Sequence, residues 1–237
     1  MQETFEKIYA PFFNQTVLVD SDNWNVSDGK VVYTKKSITF KEYFNLTDFS
    51  ITLFSYLLNH LTDKNAKNFL KHFSYSNIAK KLGVEKNAIY ENMKRLEKAK
   101  LLYWDKESNN KISKISLICI VPCEDGTYYE YEIETSSDVQ NKFGSFGFII
   151  CPTKILENKD LTITEKINYS YISSYNNLKK GNSFFKSSMA GFAAFINRCR
   201  TSVMRVLKSL QRKGMIFLDI VKQGVYTNWY TNISIVN

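Results

Sequence analysis

Residues 78–102 read IAKKLGVEKNAIYENMKRLEKAKLL, and residues 192–216 read FAAFINRCRTSVMRVLKSLQRKGMI. The two stretches align without a gap at an offset of 114 residues. Apolar positions coincide: Ile78 with Phe192, Ala79 with Ala193, Leu82 with Ile196, Ile89 with Val203, Met93 with Leu207, Leu96 with Leu210, Leu102 with Ile216. Upstream, NLTDFSITLFSYLL (45–58) pairs with DLTITEKINYSYIS (160–173) at an offset of 115, so one indel separates the two blocks. A loop absorbs such a change at little cost. A pattern that recurs at a fixed period marks one structural unit built more than once. Here the units span roughly 30–122 and 145–237.

Each copy dictates the same order of elements. A first helix is expected from 47 to about 60, and again from about 162 to 175. Thr47 and Thr162 suit the N-cap, where a hydroxyl accepts an orphan backbone N–H. Glu165, three residues after Thr162, completes a capping box. The second helix opens at Ser74 or Ser76, and at Ser187 or Ser188. A third runs from about 85 to 99 and from 200 to 213; its spacing of Ile89, Met93 and Leu96, repeated by Val203, Leu207 and Leu210, buries one face. Two strands follow, at 101–104 and 115–121 in copy one and at 215–221 and 225–235 in copy two. The polar turns between them are Lys106–Lys114 and Lys222-Gln223-Gly224. Between the second and third helices, Gly83 takes positive φ without a Cβ clash. Its counterpart Asn197 is the next most tolerant residue for that geometry.

Helix, helix–turn–helix and hairpin, in this order, resemble the winged helix family. YSNIAKKLGVEKNAIYENMKRLEKAKLL is similar to the bacterial pattern in which a Gly-containing turn separates two helices. The resemblance covers most of both repeat units, but not the first 30 or so residues or the middle segment. It departs at one position: the apolar residue usual after the turn glycine is Val84 in copy one and Arg198 in copy two. The expected fold class is therefore α+β, two winged helix-turn-helix domains in tandem. Their expected limits are 1–123, including an N-terminal extension, and 147–237, with a connecting segment at 124–146.

The resemblance implies a recognition helix that enters the major groove with its N-terminal residues toward base edges. In copy one the outward residues are Lys86, Asn87, Tyr90, Glu91 and Lys94; in copy two they are Arg200, Thr201, Ser202, Met204, Arg205 and Lys208. Arg reads guanine with two hydrogen bonds and Asn reads adenine likewise, while Ser and Thr more often hold phosphates. From Lys186 to Leu218 there is no Asp or Glu, yet the window holds Lys186, Arg198, Arg200, Arg205, Lys208, Arg212 and Lys213. In copy one Glu85, Glu91 and Glu97 dilute the lysines. Phosphate contacts dominate affinity for duplex DNA, so copy two is expected to bind more strongly and copy one to bind weakly or to serve in dimerisation.

Composition agrees. The chain of 237 residues carries 32 Lys+Arg against 23 Asp+Glu, a net charge of +9. Such a balance favours polyanions. With 44% hydrophobic residues, 9 Gly and 3 Pro it is neither a low-complexity nor a disordered chain. No stretch approaches the apolar length of a membrane span, and residues 1–13 lack the form of a secretory signal. A cytoplasmic protein with reduced thiols is expected. Cys119 and Cys123 have loose ligand-like spacing, but Cys119 sits in the apolar run Ile115–Val121, so core thiols are expected rather than zinc. Tyr129, Tyr131 and Ile133 alternate as packing residues of a strand would.

No catalytic residue, cofactor or metal site is expected. Only His60 and His72 are present, and neither a phosphate-binding glycine loop nor an HExxH motif occurs. A rolling-circle nickase would need a close His pair that the chain lacks. Two winged units in this length, with LTITEKINYSYISSY ahead of a basic helix–turn–helix, resemble plasmid and phage replication initiators of low-GC bacteria. That resemblance implies double-stranded DNA, a second copy of the chain and a host replication protein such as the helicase as partners, at the nucleoid or plasmid. A transcriptional repressor of a mobile element, and a winged helix protein acting on a host nucleic-acid machine, stay open as alternatives.

Overall fold

The computed structural model describes residues 5–27, 30–61, 70, 72–106, 112–133, 148–178, 185–223 and 228–235. The chain is a mixture of helices and antiparallel strands. Strand β1 (Phe5–Tyr9), helix α1 (Pro11–Asn14), and the ribbon β2 (Thr16–Ser27) and β3 (Lys30–Thr39) precede the first repeat helix. Then follow α2 (Phe40–Tyr43), α3 (Asp48–Leu61), α4 (Tyr75–Leu82), α5 (Lys86–Lys98), β4 (Leu102–Lys106), β5 (Ile112–Pro122) and β6 (Tyr128–Glu132). The second half runs β7 (Phe148–Pro152), α6 (Thr153–Leu156), α7 (Ile163–Leu178), β8 (Phe185–Ser188), α8 (Met189–Phe195), α9 (Arg200–Arg212), β9 (Ile216–Gln223) and β10 (Asn228–Ile235).

The repeat reappears hydrogen bond by hydrogen bond. After α4 the Val84 amide donates to Ala79 O at 2.9 Å, and after α8 the Arg198 amide donates to Ala193 O at 2.9 Å. Gly83 has φ 61° and Asn197 φ 48°, both left-handed. At the end of α5 the Leu101 amide reaches Leu96 O at 3.0 Å, and at the end of α9 the Met215 amide reaches Leu210 O at 3.0 Å. The matching left-handed residues there are Lys100 (φ 58°) and Gly214 (φ 68°). Each pair of bonds repeats at the 114-residue offset.

Caps start the helices as their side chains dictate. Thr47 Oγ1 accepts the Ser50 amide at 3.0 Å. Thr162 and Glu165 form the reciprocal pair of a capping box, the Glu165 carboxylate accepting the Thr162 amide at 2.7 Å. Ser74 caps α4. α3 is buried at nearly every position from Asp48 to Leu58, including Ser50, Thr52 and Ser55. It is therefore the central rod of the first half. Thr52 and Ser55 satisfy their hydroxyls on the carbonyls four residues back, at 2.9 and 2.7 Å.

Three features are not shared by the two copies. β1 pairs with β7, Phe5 opposite Pro152 and Tyr9 opposite Phe148, so the N-terminus is stitched to the second half. Tyr9 is fully buried, its ring edge-on to Phe12 at 5.1 Å and its hydroxyl donating to Ile120 O at 2.9 Å. β2 and β3 form a two-stranded ribbon with a bulge between Asp20 and Trp24. β6, inside the expected connecting segment, is the third strand of the sheet β4–β5–β6, while the second half has the order β8–β10–β9. One hydrophobic cluster, from Ile8 to Leu218, runs through both halves.

Some expectations shift. The hairpin strands extend further than their apolar runs: β5 takes in Ile112–Lys114, and β9 takes in Lys222 and Gln223. Residues 107–111 and Gly224, expected as the turns, lie outside the described residues. Tyr129 is 48% exposed rather than packed, although it shares its strand face with Tyr131 and Ile133, which do pack against the core. Cys119 is buried, but Cys123 is half-buried, since it opens the turn to β6 with its amide on Thr127 O. No helix among the described residues is long and apolar enough to cross a membrane.

Candidate nucleic-acid interface

Among the described residues, the outward face of α9 gathers four cations that are in no ion pair. Val203, Leu207 and Leu210 are buried, which turns Arg200, Thr201, Arg205, Lys208 and Arg212 to solvent, all of them exposed. None of Arg200, Arg205, Lys208 or Arg212 is in an ion pair with a described residue. The first turn carries no acidic residue. Its unsatisfied N–H groups and the helix dipole add positive potential where Arg200 and Thr201 sit. Ser202 and Met204 do not join this face. Ser202 is half-buried with its hydroxyl 3.1 Å from Cys199 Sγ, and Met204 packs against the core. A thioether beside the buried stripe gains more from contact than from water.

Two cations of the acid-free window are committed elsewhere. Arg198 Nη2 donates to Asp48 Oδ2 at 2.6 Å and lies 3.4 Å from Thr164 Oγ1. Lys213 Nζ donates to both Glu165 oxygens, at 2.8 and 2.9 Å, and to Asp160 O at 2.6 Å. Arg198 replaces the apolar residue of the first copy, and its charge finds an acidic partner across the molecule. Asp48 in turn accepts from Lys41, Thr164 and Arg198. Burial alone would push the Asp48 carboxyl up; the Lys41 charge and these hydrogen bonds outweigh it and hold the group below its ordinary value.

α5 presents a thinner charge. Lys86, Asn87 and Lys94 are exposed, but so are Glu85, Glu91 and Glu97. Lys94 lies 4.4 Å over the Tyr90 ring, and the Tyr90 hydroxyl holds its ammonium above its ordinary pKa. Tyr90 itself is half-buried, edge-on to Tyr75 at 5.9 Å and 6.4 Å from Trp104. Its ring is part of a packed cluster, with only one rim outward.

The two turns that precede α5 and α9 both face the opposite half. Lys166, wholly buried, donates to Leu82 O and Leu156 O, each at 2.7 Å. A Cβ at Gly83 would stand 2.8 Å from both Glu157 O and Lys166 Nζ, so the second half approaches that turn as closely as a glycine permits. Lys81 pairs with Glu157 at 2.8 Å beside it. At the other turn, Asn197 donates to Thr39 Oγ1 at 2.7 Å. The starts of both helices are thus fixed relative to one another by polar contacts between the halves.

Cys199, the residue before α9, is exposed. Hydrogen bonds from the Ser202 hydroxyl and amide hold its thiol below the ordinary value. No family model matches the chain, and no curated protein matches its sequence.

Proposed function

We propose that the chain binds double-stranded DNA through two winged helix-turn-helix modules, with α9 as the principal reading helix and α5 as the weaker one. The observation that carries this reading is the exposed face of α9. Four cations stand there without acidic partners among the described residues, while the two nearest cations that do have partners, Arg198 and Lys213, hold the fold together. A surface kept free of counter-charge in this way suits phosphates, and its Arg and Thr residues suit base edges and backbone together. The recurrence of helix, turn, helix and hairpin supports a winged module in each half.

The polar contacts between the halves make the pair of helices a single two-headed reader. Successive major-groove faces lie about 34 Å apart along a duplex, and a rigid protein meets only sites of matching spacing. Origin binding by a plasmid or phage replication initiator is the process this design fits best, with the host helicase brought in by protein contact. Equilibrium binding to duplex across a salt series tests the reading. Affinity should fall linearly on a log–log plot, each neutralised phosphate adding about 0.9 to the slope. A response independent of salt would remove the reading.

A further inference from the structure

The C-terminal end of α5 closes against α2 and β6 around a cleft of about 520 Å³. Its size lies within the range of small-ligand sites. One wall is aromatic. Tyr43, Phe44 and Tyr128 pack edge-on to one another at 4.9 to 5.7 Å, and the Tyr128 hydroxyl donates to that of Tyr43 at 3.3 Å. Tyr43 nevertheless remains 41% exposed. The other wall is cationic. Arg95, Lys98 and Lys100 line it against the single carboxylate of Glu130. Neither Lys98 nor Lys100 is in an ion pair with a described residue.

The internal repeat shows that Lys100 is out of place on conformational grounds. It sits at φ 58°, where the second half has Gly214 at φ 68°. Glycine enters that left-handed position without a Cβ clash, whereas lysine is strained there. A cation near a helix C-terminus is favoured by the dipole, but Lys98, two residues earlier, satisfies that without strain. Asn45, the other lining residue with positive φ, stands at 51° and accepts from Arg95 Nη1 at 3.2 Å. Of the three non-glycine residues with positive φ among the described residues, two line this cleft. Both end helices: after α2 the Leu46 amide donates to Lys41 O at 2.8 Å, and after α5 the Leu101 amide donates to Leu96 O at 3.0 Å, so the two helix ends converge on the cleft.

We propose that this cleft binds a nucleotide, its base against the Tyr43 and Tyr128 rings and its phosphate among Arg95, Lys98 and Lys100. Rings beside cations form the arrangement that holds unpaired nucleotides. The cleft lies about 18 Å along α5 from Lys86, so it is separate from the helix start and does not depend on the duplex reading of α9. Its occupant is either a free mononucleotide or one unit of a single strand, which share the same chemistry.

Isothermal titration of the full chain with thymidine monophosphate and with the single strand (dT)8 tests the proposal. Saturable binding of at least one is expected. Tenfold tighter binding of (dT)8 that Lys98→Ala and Lys100→Gly weaken assigns the cleft to a strand, and equal binding assigns it to the free nucleotide. Lys100→Gly removes the ammonium while relieving the backbone, so it should keep or raise the melting temperature and weaken nucleotide binding about tenfold, as loss of one charge-assisted bond predicts. Lys98→Ala, at an exposed position, should weaken it as well, and neither change should alter duplex affinity by more than about twofold. No saturation by either probe at millimolar concentration, or unchanged nucleotide affinity in both variants, would overturn the proposal. Loss of duplex binding in an α9 variant that still takes nucleotide leaves it standing.

Discussion

Arg198 donates from Nη2 to Asp48 Oδ2 at 2.6 Å, joining the turn ahead of α9 to the first residue of α3. The carboxylate is nearly buried, and Lys41 on its other oxygen is nearly buried too, whereas Arg198 keeps 36% of its side chain in water. The three are therefore not equivalent. Asp48→Ala leaves the Lys41 ammonium buried without its carboxylate and should cost about 3–5 kcal/mol. Arg198→Ala should cost about 1 kcal/mol at most, since its charge is half-solvated. Urea unfolding of both variants measures the difference.

Glu165 makes a second joint, from the start of α7 to Lys213 at the end of α9, sensitive to acid. Burial raises its carboxyl, but hydrogen bonds from Lys213, Ser209 and Thr162 outweigh this and bring it from 4.5 to about 2. The folded value lies below the unfolded one. The contribution is therefore complete above pH 4.5 and is lost as pH falls toward 2, up to ~3 kcal/mol. Asp48 adds to the loss below its ordinary value in the same direction. Glu165→Gln should be less stable at pH 7 and lose less between pH 4.5 and 2.5, read by thermal unfolding at each pH.

Lys166 behaves in the opposite range. Burial lowers its ammonium from 10.5 to about 8, even though two carbonyls accept from it. Below pH 8 the folded chain bears the full cost of a buried charge. As pH rises from 8 to 10.5 the unfolded chain holds the proton longer, so this group's contribution improves by up to ~3 kcal/mol. Lys166→Met lacks that improvement. Wild type minus variant stability, followed by urea unfolding from pH 7 to 10, should increase with pH.

The elements that local chemistry determines were legible in the sequence. Gly83 and Asn197 occupy the turns because both tolerate left-handed φ, and Thr47, Ser74 and Thr162 start helices because their hydroxyls accept backbone amides. The buried stripes of α5 and α9 follow from their spacing. What depends on distant partners was not legible. FEKIY carries no mark that it pairs with 148–152, and Arg198 reads as a DNA contact until Asp48, 150 residues away, is brought beside it. Nothing in the sequence marks Lys166 as buried; the neighbour that covers it is supplied only by the tertiary fold. Met204 sits at a position that helical geometry leaves on the boundary, and packing decided it. For the cleft at the end of α5 one signal was present: lysine at 100 where the repeat has glycine at 214.

Cys199 offers a footprint. It is exposed immediately before α9, and its thiol lies below the ordinary value, whereas burial raises both Cys119 and Cys151. The thiolate is the reactive form. Maleimide should therefore modify Cys199 first, well ahead of the two buried thiols, and bound duplex should slow that reaction. Mass spectrometry of peptides after timed labelling, with and without duplex, reads both effects.

If the proposed duplex reading holds, the two helices should differ most in what their cations contribute to affinity. Fluorescence anisotropy with one duplex, at two or more salt concentrations, compares Arg200→Ala with Arg205→Ala in one chain against Lys86→Ala with Lys94→Ala in another. The acid-free α9 face predicts a loss of about tenfold or more for the arginine pair, a shallower salt slope, and a clearly smaller loss for the lysine pair. Equal losses, or an arginine variant that binds as wild type does, would contradict the assignment of α9 as the principal DNA-binding surface.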